Sequence, residues 1–177
     1  MIALRPALAA AALAVALPVL AAAPAQAVIE IEEVTSPGGI EAWLVEDHEI
    51  PFVALEIRFE GGASLDADGK RGAINLMAAL LDEGAGDLDA QGFDIAVEEL
   101  AAEFDFDVGD DTLAVSARAL TENRDEAMAL LRSALVAPRF DADDVDRVRA
   151  QVLANIESAA KDPQRIASDR FDALAFG

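Results

Sequence analysis

The sequence predicts an α+β fold in which an antiparallel sheet is covered by helices, in the order β-β-β-α-α-β-β-α-α. Three observations carry this. Residues 28–60 and 104–119 alternate apolar and polar side chains with the period of a strand. Between and after them, apolar residues recur three and four positions apart, the period of a helix. Glycine and proline punctuate the boundaries.

The first strand pair runs Val28-Ile29-Glu30-Ile31-Glu32-Glu33-Val34 and then Ile40 to Val45, joined by a Ser36-Pro37-Gly38-Gly39 turn, so a hairpin is expected. Pro51 restarts an extended run. Val53, Leu55, Ile57 and Phe59 face one way while Glu56, Arg58 and Glu60 face the other, as in a strand with one buried side, until Gly61-Gly62 ends it. A helical pattern follows on Ile74, Met77, Ala78 and Leu81, closed by Gly84 and Gly86. A second helix places Phe93, Ala96, Val97, Leu100, Ala101 and Phe104 on one stripe. Two strands, Phe104 to Val108 and Leu113 to Ala119, meet across Gly109-Asp110-Asp111 as a second hairpin. A third helix carries Ala127, Leu130, Leu131, Ala134 and Leu135 and stops at Pro138. Asp141 is placed to cap a fourth, whose buried stripe is Val145, Val148, Val152, Ile156 and Ala159; Asp143, Asp144 and Asp146 suit its N-terminal dipole. Pro163 interrupts it. The last residues, from Phe171 to Gly177, read as the interior of another apolar helix, so a longer polypeptide truncated at its C-terminus is expected.

Residues 1–27 read as an export signal: Arg5 is the one charge, an apolar stretch runs from Ala7 to Ala23, and Ala25-Gln26-Ala27 offers a small-x-small cleavage pattern. The apolar stretch is Ala-rich, broken by Pro18, and shorter than the roughly 20 strongly apolar residues of a membrane span. The mature domain is expected to occupy 28–177, exported to the periplasm or beyond the cell, with no membrane insertion after cleavage. Without Arg5 it holds 12 bases against 34 acids, a net charge of −22. Such a surface repels polyanions, which disfavours nucleic acid and anionic lipid as partners and favours basic proteins or peptides. Cysteine is absent, which excludes disulfides, thiolate metal sites and cysteine nucleophiles.

His48 is the sole histidine. A catalytic zinc usually takes three N, O or S side chains, commonly two or three of them histidine or cysteine, and one histidine cannot supply them. A serine triad would have to recruit His48 from the acidic turn Glu46-Asp47-His48-Glu49, where a solvated side chain is the simpler reading. With 34 acids, close carboxylate pairs arise by chance and identify no glycosidase. The segment from Asp105 to Asp111 has its glycine too early for an EF-hand loop and lacks the closing glutamate. Gly61-Gly62 leads to no phosphate-binding Gly-Lys-Ser/Thr ending.

Taken together, residues 51–157 resemble the N-terminal domain of the insulinase/pitrilysin family of zinc metallopeptidases, which includes the mitochondrial processing peptidase and its inactive sister subunits. The resemblance rests on the strand ending Arg58-Phe59-Glu60-Gly61-Gly62-Ala63-Ser64, on Gly72 opening a helix, on Leu80-Leu81-Asp82-Glu83-Gly84 closing it, on Leu113 to Ala119, on Pro138-Arg139-Phe140, and on the long helix from Asp141. In active members the helix after that glycine carries His-x-x-Glu-His: two histidines hold zinc and the glutamate polarises the attacking water. Counted from Gly72, those positions here are Asn75, Ala78 and Ala79, and the third ligand, a glutamate of the later helix, falls on or near Asn155, beside Glu157. The resemblance therefore implies a chain with no catalytic residues, no metal and no cofactor of its own. It implies a non-catalytic periplasmic subunit that pairs with an active, zinc-holding sister to bind and position peptide substrates, with activity only in that complex. Two alternatives stand beside it: a stand-alone periplasmic binding or scaffold domain, and an active zinc endopeptidase with ligands elsewhere, which the single histidine opposes.

Overall fold

The computed structural model describes residues 30–177, so the expected signal segment lies outside the described residues. The chain divides into two compact units, one ending at Glu49 and one spanning Ile50–Gly177.

In the first unit, β1 (Glu32–Thr35) and β2 (Glu41–Leu44) pair antiparallel, Glu33 opposite Trp43 and Val34 opposite Ala42. The Ser36 backbone carbonyl accepts from Gly39 N at 2.9 Å, and the Ser36 hydroxyl accepts from Ile40 N at 2.9 Å. Gly39, at φ +84°, supplies the left-handed residue of this turn. Both strands are shorter than the alternation suggests, and Trp43 is 80% exposed.

The second unit opens with β3 (Phe52–Glu60), a short 3-10 turn (Ala63–Leu65), α1 (Ala73–Ala78) and α2 (Ala90–Glu99). It continues with β4 (Glu103–Val108), β5 (Thr112–Leu120), a 3-10 turn (Thr121–Asn123), α3 (Arg124–Val136), α4 (Ala142–Ala159) and α5 (Pro163–Ala175). The sheet is antiparallel in the order β3-β5-β4. Its register sets Leu55, Ala117 and Phe104 in one row and Ile57, Val115 and Phe106 in the next, so the apolar halves of three alternating strands share a face. On that face α3 packs: Leu131 is buried with Val115 and Ala117, and Met128 and Leu135 lie against them. Phe93 of α2 closes the other half of the core with Ala85 and Ala134, its ring centroid 6.3 Å from that of Phe104. The other face of the sheet carries Glu56, Ser116, Arg118, Glu103 and Asp105 toward solvent.

The α+β expectation holds, and the structure corrects several details. The stripe assigned to the second helix stops at Glu99, and Phe104 belongs to β4. Ala101 ends the helix in the left-handed region at φ +47°; its N–H bonds Glu98 O and the Ala102 N–H bonds Val97 O, a Schellman termination without the usual glycine. The first helix is also shorter than expected, because Ala79 leaves helical geometry at ψ 1°; Leu80 and Leu81 follow in turns and are still buried. Asp141 occupies the N-cap of α4 without a capping bond, its carboxylate accepting instead from Arg139 Nε at 2.7 Å. Of the stripe expected on α4, Val148 is buried but Ile156 is 58% exposed, because the described residues cover the N-terminal half of the helix and little beyond it. Pro163 both interrupts α4 and starts α5, where a proline lacking an N–H fits the first turn and Asp162 caps it.

Candidate functional site

A short helix of six residues needs support at its ends, and α1 receives it from outside. The Asp66 carboxylate accepts from Gly72 N at 2.5 Å and from Ile74 N at 3.0 Å, taking up amides that a helix start leaves free. The Ile74 and Gly72 bonds hold the Asp66 carboxyl below its ordinary 3.8. Gly72 enters α1 at φ +92°, a conformation that a side chain there would strain. Fixed in this way, α1 runs beside β4 and α4 and leaves a cleft of about 320 Å³ between them.

Ala78, Ala79 and Asn155 all line this cleft, with Phe106 and Gln151 beside them. Three of the four positions singled out in the sequence are thus brought to one place, although 76 residues separate Ala79 from Asn155. Asn75 is one turn earlier on α1, exposed, and not part of the lining. Glu157 likewise does not line it. His48 is in the first unit, 88% exposed, with Nε2 3.7 Å from Glu46. The segment from Asp105 to Asp111 is the end of β4 and its turn, and the carbonyls of Gly109, Asp110 and Asp111 accept from Ala63, Ser64 and Gly61.

The donor set does not fit zinc. Ala78 and Ala79 offer methyl groups with no lone pair, and Asn75 and Asn155 offer neutral carboxamides where zinc prefers imidazole, thiolate or carboxylate. Asp82, Glu83 and Asp105 do enter the lining. Among the described residues, however, no three His, Cys, Asp or Glu side chains converge as a metal centre requires. Partial burial, reinforced by the charges of Glu83, Asp94 and Asp105, pushes the Asp82 carboxyl above its ordinary 3.8. The lining therefore gives an acidic rim over an apolar floor, able to receive a chain segment or a cationic group but lacking a base within a ligand set.

Sequence reasoning missed Asp82, Glu83, Asp105 and Gln151 as parts of this place. A signal for one was present: Gln151 lies four residues before Asn155, on one stripe of α4. A larger trough of about 450 Å³ lies on the outward face of the sheet over Ala54, Ser116 and Arg118. It touches none of the motif positions, and the Arg118 guanidinium is already paired across it with Glu103 at 3.4 Å.

An antiparallel sheet backed by helices, with a cleft between a glycine-led helix and a later long one, is the arrangement expected of the domain that the sequence resembles. The family model for insulinase, peptidase family M16, matches residues 42–177, and the chain belongs to that family. It is 31% identical over 109 residues to a Helicobacter pylori protein described as non-peptidase homolog YmxG, an alignment covering 62% of this chain and 25% of that protein. A solved peptidase M16 inactive domain from Pseudomonas fluorescens superposes with a TM-score of 0.73 at 28% identity, over 79% of this chain and 34% of the other. A protease structure from Helicobacter pylori shares the fold, with a TM-score of 0.60 at 19% identity over 72% of this chain and 30% of that one. The chain thus spans a quarter to about a third of the length of these relatives.

Proposed function

We propose that this chain is a non-catalytic subunit of an exported insulinase-family metallopeptidase, which pairs with an active sister subunit and helps to bind and position peptide substrates. The observation that carries the reading is that Ala78, Ala79 and Asn155 line one cleft. The enclosure remains while ligands and general base are replaced by side chains that can neither hold an ion nor take a proton. Loss of a general base alone removes about 10²–10⁴ in rate, and loss of the ligands removes the means of activating water.

The cleft's location supports a role in holding extended peptide. Strand β4, whose Phe104 and Phe106 form part of the lining, is at the edge of the sheet, with one row of backbone donors and acceptors outside the β3-β5-β4 ladder. The acidic rim and a net charge of −21 favour basic peptides. The zinc belongs in this reading to the sister, and export to the periplasm follows from the expected signal segment.

The test is co-expression of the full-length protein with a sister that keeps His-x-x-Glu-His, followed by co-purification, zinc analysis and cleavage of a basic peptide by each alone and together. The expected result is zinc and weak cleavage with the sister, neither with this protein, and a stimulated rate for the pair. Stoichiometric zinc and cleavage by this protein alone would sink the proposal, and a sister that neither binds it nor gains activity would leave the scaffold alternative in its place.

A further inference from the structure

Where a metal ion takes ligands from two helices, it also ties those helices together, and that tie contributes directly to the fold. Here the facing positions Ala78, Ala79 and Asn155 offer no such tie. The polar link across the cleft is elsewhere. Arg147, on α4, donates through Nη2 to the Glu83 carboxylate in the turn after α1, and through the same nitrogen to Asp144 at 2.9 Å. Among the described residues this is the one salt bridge that joins the segment from Ala78 to Glu83 with α4. Both acceptors are half-buried, with side chains 22% and 21% exposed, and Asp144 one turn before Arg147 on α4 aims the guanidinium toward Glu83. The Glu83 bond, then the Asp144 bond, hold the guanidinium even more firmly protonated than usual, in keeping with a permanent cation between two carboxylates.

We propose that the Glu83–Arg147–Asp144 ion-pair cluster is the staple between the two walls of the cleft, performing in this chain the mechanical task that a shared metal ion performs when its ligands come from both walls. The cluster sets how tightly the end of α1 is held against α4, and therefore how wide the cleft stands. Because it is electrostatic and only partly shielded, it loosens with ionic strength. It operates within this chain alone, independently of any sister or substrate.

The experiment is hydrogen exchange followed by mass spectrometry on the isolated protein, comparing wild type with Arg147→Met and with Arg149→Met. Arg149 is an apt control: it pairs with Asp146 at 2.7 Å on the same helix and spans no cleft. In Arg147→Met, amides from Ala78 to Glu83 are expected to exchange about threefold to fivefold faster at low salt, the scale of one good ion pair. Wild type in 1 M salt should move toward that rate, and Arg149→Met should match wild type. The charge swap Glu83→Arg with Arg147→Glu tests the same link without losing both charges; it should exchange more slowly than either single reversal. Unchanged exchange in Arg147→Met, an equal change in Arg149→Met, or additive effects in the swap would overturn the proposal. Since no partner, metal or peptide enters the assay, its failure is distinct from failure of the subunit reading.

Discussion

Replacing Gly62 with alanine should be among the most damaging single methyl additions in the second unit. A Cβ on Gly62 would sit 2.1 Å from Gly109 O, 2.8 Å from Thr112 O and 2.9 Å from Thr112 N, whereas ordinary contact begins near 3.4 Å. All three are backbone atoms of the β4–β5 turn and the first residue of β5, so no side chain can swing aside. The two segments would have to separate by more than an ångström, across the place where Gly61 N, Ala63 N and Ser64 N donate to Asp111 O, Gly109 O and Asp110 O at 2.7, 3.0 and 2.8 Å. Each such bond contributes about 0.5–1.5 kcal/mol net. Losing the central one and weakening its neighbours, with some residual overpacking, amounts to about 2–4 kcal/mol. Against a total of roughly 5–15 kcal/mol for a domain, that is a large share. Urea denaturation read by far-ultraviolet circular dichroism should show the midpoint falling by about 1–2 M with the slope unchanged. Gly38→Ala is the control, since its nearest neighbour would be Ser36 Oγ at 3.9 Å. A Gly62→Ala protein within about 0.5 kcal/mol of wild type would refute the close approach on which the estimate stands.

Three further outcomes are expected. Ala101→Gly should stabilise the protein by about 0.5–1 kcal/mol, because relief of a left-handed alanine, about 1–2 kcal/mol, outweighs the added backbone entropy of glycine; a raised Tm in calorimetry checks it. Asp82→Asn should stabilise at neutral pH by less than about 1 kcal/mol, as the group is in part solvent-screened. The folded carboxyl of Asp82 titrates above its unfolded value, so its destabilising effect is full above the folded pKa and absent below 3.8; the gain in urea midpoint should fade as pH drops toward 3.8, and a pH-independent gain would contradict the assigned cause. Asp66 is the opposite case. Its folded carboxyl titrates below 3.8, so the stability it contributes is present above that value and lost as pH falls through the folded pKa; Asp66→Asn should lower Tm at pH 7 and converge with wild type in acid.

Much of the fold was legible because period-two alternation specifies a buried face. Ile57, Val115 and Phe106 could be assigned to the inner side of their strands before any contact was known, and the register places them in one row. Phe104 shows where periodicity becomes ambiguous. It continues a helical stripe through Phe93, Val97 and Leu100, and it equally begins the alternation through Phe106 and Val108. The decision lies in the left-handed backbone of Ala101, which no propensity announces, since alanine is the strongest helix former. The same limit applies to Leu81, which fits the helical spacing yet reaches the core from a turn after Ala79. In the cleft, the positions of Ala78, Ala79 and Asn155 were legible through the family resemblance alone. The link from Glu83 to Arg147 was not, because it joins residues 64 apart in sequence, and local patterns hold no record of such pairs.

The residues at the motif positions also make sense in terms of stability. A glutamate at 78 without a metal or partner would bury a polar group at a cost of about 1–3 kcal/mol, whereas positions 75 and 79 are exposed and carry no such cost. Alanine at 78 avoids that cost while keeping strong helix propensity at the last residue of a six-residue helix, and it fits a fully packed position at 2% exposure. The elements around the helix can then stay as they are: Asp66 still secures its start, Leu80 and Leu81 still carry its end into the core, and Arg147 still draws the following turn to α4. Apolar packing around Ala78 and the ion pair of Glu83 with Arg147 then hold the walls of the cleft.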